Sequence, residues 1–173
     1  MIKESPLKDK VILAVDDEPD VLDTLADLLN MAYVVKITTY EEAVEYLRNF
    51  TVDIAILDIA GVKGFELLKL CVAMGKTTVM LTAHAFSVED LKRSMEMGAR
   101  AYVPKEKLSE IVSFLEDVIT LEHQPAWRRL FERLGSHFTA SFGRNWQKDE
   151  KDFWDIVLSG KVEPREPFVV KRE

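Results

Sequence analysis

The sequence contains one cysteine, Cys71, which excludes an intrachain disulfide and any cysteine-built metal cage. Cys71 sits in an apolar helical stretch and reads as inert core. His123 and His137 show no spacing that suggests a metal site. No apolar run approaches the ~20 residues that a membrane-spanning helix needs. The first residues, MIKESPLKDK, lack the apolar core of an export signal, so a cytoplasmic home is expected. Internal repeats and low-complexity runs are also missing.

Positive charge is scarce as well. The chain carries 23 Lys+Arg against 30 Asp+Glu, a net charge of −7. Residues 1–123 hold 13 basic against 22 acidic residues, a difference of −9, and residues 124–173 hold 10 against 8, a difference of +2. So acidic a body argues against broad nucleic-acid contact. What is present describes a globular protein: 47% hydrophobic and 31% charged residues over a length of 173, enough for one domain plus an appendage.

Over the first ~120 residues, strand-like and helix-like patterns alternate, as in a doubly wound α/β domain. Strands are expected at Lys10–Asp16, Val34–Thr38, Asp53–Leu57, Thr77–Leu81 and Arg100–Val103. Helices are expected near Pro19–Met31, Glu41–Asn49, Gly64–Met74, Val88–Met97 and Leu108–Leu121. Pro19 suits a first helical turn, Ser87 with Asp90 resembles an N-cap, and Gly98 fits a helix stop.

The chemistry gathers at strand ends. VILAV runs into Asp16 and Asp17, and AIL runs into Asp58. In a parallel sheet these carboxyl ends share one rim, where ligands bind. Three unpaired carboxylates there would repel one another, and a hard divalent cation, Mg²⁺, removes that conflict. Thr82 ends the fourth strand and Lys105 follows the fifth. An acid pair for the metal, a lone carboxylate, a hydroxyl and an ammonium together suit a phosphoryl group. Carboxylates form aspartyl-phosphate intermediates. Taken alone, Asp16 and Asp17 also suit capping of the following helix.

The segments VILAVDDEP, AILDI, MLTAH and YVPKE, in that order, resemble the receiver domain of two-component response regulators over residues ~8–122. The resemblance implies a flavodoxin-like fold with a five-stranded parallel sheet. It also implies that Asp58 accepts the phosphoryl group, that Asp16 and Asp17 hold Mg²⁺ with Asp58 and the carbonyl of Ala60, and that Lys105 pairs with phosphate. Thr82 resembles the switch hydroxyl and Tyr102 the aromatic that turns inward on activation. Tyr102 equally fits a core aromatic. By the same resemblance Ala60 and His84 flank the site, where His84 either tunes phosphoryl lifetime or is an exposed loop residue.

One segment departs from the family pattern. The loop after the acceptor reads DIAGVKGFELL, lacks the Met-Pro pair and places Gly64 six positions after Asp58, two fewer than in the family. Gly61 and Gly64 are expected to supply the unusual dihedrals of a tighter turn.

Residues 1–122 are thus expected to form a receiver domain and residues 123–173 a small, helical, aromatic-rich extension. Pro125 is expected to break the last receiver helix. Trp127, Leu130, Phe131 and Leu134 then form an apolar stripe at helical spacing. The passage GSHFTASFGRNWQ is expected to interrupt it before a second helix, Asp149–Leu158. Phe138, Phe142, Trp146, Phe153 and Trp154 add more aromatic surface than a free tail exposes. The stripe either folds back on the receiver or docks a partner or second copy. A membrane-surface role fits poorly with Glu132 and the short length.

The resulting expectation is a phosphorylation-switched regulator, not an enzyme with an external substrate, served by a histidine kinase or a phosphotransfer protein. Its downstream protein target is open, as is homodimer formation. Two alternatives remain: a degenerate receiver acting as a scaffold, and a DNA-binding regulator with an unrecognised output segment. An aspartyl-phosphate phosphohydrolase lacks its Asp-x-Asp arrangement here.

Overall fold

A computed structural model describes residues 4–83, 87–121 and 123–143. Five parallel strands form one sheet in the order β2-β1-β3-β4-β5: β1 Val11–Val15, β2 Tyr33–Ile37, β3 Ile54–Asp58, β4 Thr77–Thr82 and β5 Ala101–Pro104. Helices α1 Pro19–Leu28, α2 Tyr40–Asn49, α3 Gly64–Ala73, α4 Val88–Glu96 and α5 Ile111–Thr120 alternate with them. The strand order reverses beside β1, where the β1 and β3 ends open a crevice. β1 and β3 are almost wholly buried because helices cover both faces. Their unbroken apolar sequences follow from that burial.

Local signals set the boundaries. Pro19 opens α1, and Thr39 caps α2 by accepting the Glu42 N–H. Ser87 caps α4 by accepting the Asp90 N–H at 3.0 Å. Gly98, at φ +99°, ends α4, as its place after Met97 predicts. α1 stops three residues before the expected Met31. The segment expected to begin α5 at Leu108 instead forms a 3₁₀ turn, Lys105–Glu110, before α5 proper.

The extension differs from its expected form. Helix α6 runs from His123 to Phe142, so GSHFTASF continues the helix instead of interrupting it. Phe138 and Phe142 extend the stripe from Leu134 at four-residue steps. Phe138 is fully buried, and such burial outweighs the ~1 kcal/mol helix cost of Gly135. Gly143, at φ +92°, closes the helix as its N–H reaches the Thr139 carbonyl at 2.8 Å. Pro125 lies in the first turn of α6, where a missing N–H costs nothing. α6 packs on α5 and β5, so this part of the extension folds back on the receiver. The expected helix Asp149–Leu158, with Trp146, Phe153 and Trp154, lies outside the described residues.

Candidate functional site

Asp16 directly follows β1, Asp58 and Thr82 are the last residues of β3 and β4, and Lys105 directly follows β5. The parallel register brings these ends to one rim. Lys105 is the hub. Its Nζ lies 2.9 Å from Asp16 Oδ2 and 3.3 Å from both Asp58 Oδ1 and Glu18 Oε1. Asp16 and Asp58 are buried, whereas Asp17 and Glu18 are exposed.

Charge at the rim is unbalanced. Burial raises the pKa of Asp16 above the ordinary carboxylate value, with Lys105 opposing it. Asp58 is pushed up to about 6, by burial first and by the neighbouring Asp16 second, again against Lys105. For Lys105, burial alone would lower the pKa, but Asp16 and Asp58 outweigh it and hold the ammonium above its usual range. One cation faces three carboxylates, with Asp17 close to two of them. Glu18 was not legible as a site residue, because only the fold brings its carboxylate to Lys105, 87 positions away.

The acids fit a divalent cation. Asp16, Asp17 and Glu18 each place a carboxylate oxygen within 4.8 Å of the others. Asp16 Oδ1 accepts the Glu18 N–H at 2.9 Å. Its other oxygen, Oδ2, is buried and faces the Lys105 ammonium at 2.9 Å. Three carboxylates this close, one of them buried, are a hard-ligand environment suited to Mg²⁺. Asp58 stands outside that close trio and is tied to it through Lys105.

The loop after Asp58 is tight, and its glycines serve two separate purposes. Gly61 adopts φ +67°, and a Cβ there would collide with the Asp17 carboxylate. Gly64 has no positive φ, contrary to the expected unusual dihedral. Its lack of a side chain matters because a Cβ would collide with the Asp58 carbonyl oxygen. The left-handed residue is Lys63, at φ 53° on the N-cap of α3. The Ala60 carbonyl accepts the Val62 N–H at 2.6 Å. A carbonyl has two lone pairs, so one remains for another partner.

Thr82 and Tyr102 lie behind the acids. Thr82 Oγ1 donates to the Ala83 carbonyl at 3.3 Å and accepts from the Tyr102 hydroxyl at 3.5 Å. Tyr102 is fully buried, on the edge strand β5, and burial raises its pKa. Cys71 is buried and its thiol pushed up to about 12, consistent with inert core. His84 lies outside the described residues. Among the described residues no helix is long and apolar enough to cross a membrane.

Comparison with known proteins agrees with this geometry. A family model described as response regulator receiver domain matches residues 12–116. The chain is 33% identical over 97 residues to the heme response regulator HssR of Staphylococcus haemolyticus, covering 54% of this chain and 43% of that protein. It is 29% identical over 122 residues to the Fimbriae Z protein of Salmonella typhimurium, covering 66% of this chain and 58% of that one. The match therefore spans about half the length of these relatives. Among solved structures, a CheY-like response regulator receiver domain protein from Methanospirillum hungatei superposes with a TM-score of 0.55 at 27% identity, over 64% of this chain and 95% of that one.

Proposed function

This chain belongs to the response regulator receiver family, and on that premise we propose that Asp58 is the phosphoacceptor of a two-component phosphorelay. The observation that carries the reading is Lys105 held between Asp16 and Asp58 at 2.9 and 3.3 Å. Asp58 is buried, paired with Lys105 and shifted towards neutral pH, as functional carboxylates often are.

In the proposed reaction an Asp58 carboxylate oxygen attacks the phosphorus of a phosphohistidine on a histidine kinase or phosphotransfer protein. The O–P bond forms as the N–P bond breaks, and the leaving nitrogen keeps the electron pair. Lys105 then turns from the Asp58 carboxylate to a phosphoryl oxygen. Thr82, buried beside the site, donates its hydroxyl to another. Asp16, Asp17 and Asp58, with the Ala60 carbonyl, would hold Mg²⁺, and Glu18 stands close enough to assist. The cation supplies neutralisation of the oxygens' charge when bound. His84, two positions after Thr82 in the sequence, is the proposed lifetime-tuning residue.

The protein is then a cytoplasmic switch, not an enzyme with an external substrate. The domain boundary is proposed near residue 122, with output through protein contact. Incubation with a small phosphodonor and Mg²⁺, followed by intact mass, tests the reading. Wild type should gain one phosphoryl group and Asp58→Asn none. An unmodified wild type would contradict it and favour a constitutive scaffold.

A further inference from the structure

The rim is joined to α6 by a chain of three side chains. Thr82 Oγ1 meets the Tyr102 hydroxyl at 3.5 Å. The Tyr102 ring meets Phe138 of α6, centroids 6.4 Å apart and inclined by 55°. Tyr102 and Phe138 are both fully buried. β5 is an edge strand, so Tyr102 would otherwise have a route towards solvent. Phe138 closes it, and an outward-turned Tyr102 would have to displace α6.

α6 is fastened along its length. Trp127 Nε1 donates to the Ala99 carbonyl at 3.0 Å, just before β5. Arg133 donates to Glu110, Ser113 and Asp117 on or beside α5 at 3.0–3.3 Å, and its guanidinium lies 4.0 Å over the Phe114 ring. His137 faces Glu106 at 3.3 Å. Phe131 and Phe142 pack on either side of Phe138. These contacts occupy the flank formed by β5 and α5, and the occupant is the chain's own helix.

We infer that α6 is an intramolecular ligand of the β5–α5 flank whose docking is energetically coupled to Asp58 through Phe138, Tyr102 and Thr82. The inference rests on the phosphoacceptor reading. A phosphoryl group on Asp58 draws the Thr82 hydroxyl towards it, which favours the inward Tyr102 on which Phe138 is seated. Docked α6 in turn holds Tyr102 inward. Coupling of this kind is reciprocal, so each event must promote the other by the same factor. α6 thereby converts the modification into a more tightly occupied flank, and a partner that needs the flank must compete with the helix.

Amide exchange of the full chain, with and without Mg²⁺ and beryllofluoride as the aspartyl-phosphate mimic, tests this. Intact mass after the small phosphodonor is recorded in parallel. Exchange in residues 127–142 should slow by about fivefold or more when Asp58 is occupied, while exchange in α2 stays unchanged. Phe138→Ala should accumulate less phosphoryl adduct than wild type under the same conditions. Arg133→Ala, which loosens α6 without touching Tyr102, should retain the response of α6 from a less protected baseline. An Asp58 adduct with unaltered exchange in α6 would overturn the coupling and leave the phosphoacceptor intact. Failure to form any adduct would overturn both.

Discussion

At the carboxyl rim of the sheet, Asp16, Glu18 and Asp58 face one ammonium, Lys105, with Asp17 beside the first two. Along the flank of β5, Arg133 meets two carboxylates and a hydroxyl, while Trp127, Leu130, Phe131, Leu134 and Phe138 are all buried. The flank is settled by burial and paired charge. The rim buries two carboxylates, Asp16 and Asp58, against one ammonium, which opposes folding until incoming charge relieves it. Function sits where stability is given up, and Tyr102 stands at the join between the two regions.

The flank should show the largest stability effect. Trp127→Ala removes a buried indole and its hydrogen bond to Ala99, so unfolding free energy should fall by about 4 kcal/mol. Urea denaturation measures it. A loss below ~1 kcal/mol would mean that α6 contributes little and would remove the contrast. The loop of the rim comes next. Gly64→Ala forces a Cβ against the Asp58 carbonyl, and a backbone clash should cost about 3 kcal/mol. Thermal unfolding reads the loss, and phosphoryl uptake should fall with it. An unaltered variant would show that the tight loop relaxes freely.

Much of this was legible in the sequence, for reasons that differ by residue. Asp16, Asp58, Thr82 and Lys105 each follow or end a short buried strand, and strand ends share a rim whenever the sheet is parallel. Ser87, Pro19 and Gly98 mark their helices through local backbone chemistry. The continuation of α6 through Gly135 was not legible, because its cause is the pocket beside Tyr102 that Phe138 fills. Nor was the role of Gly64, since a close approach to the Asp58 carbonyl exists only once the chain has turned back on itself. Glu18 and Arg100 belong to the same class. Arg100 donates to the Val118 and Leu121 carbonyls at 3.1 and 2.9 Å, a helix-end contact between distant segments.

The claim that the rim is held in electrostatic conflict is tested most directly by the stability of Asp58→Asn. Asp58 has its pKa raised from 3.8 to about 6. The folded state therefore holds this proton more tightly than the unfolded chain. The stability that the proton confers is complete only below pH 3.8 and is lost as pH rises from there through about 6. Asparagine carries no charge to lose, so at pH 7.5 with a chelator the variant should be more stable than wild type, by at most about 3 kcal/mol. The gap should vanish below pH 3.8 and narrow when Mg²⁺ is added. A variant that is equal to or less stable than wild type at pH 7.5 without metal would contradict the account.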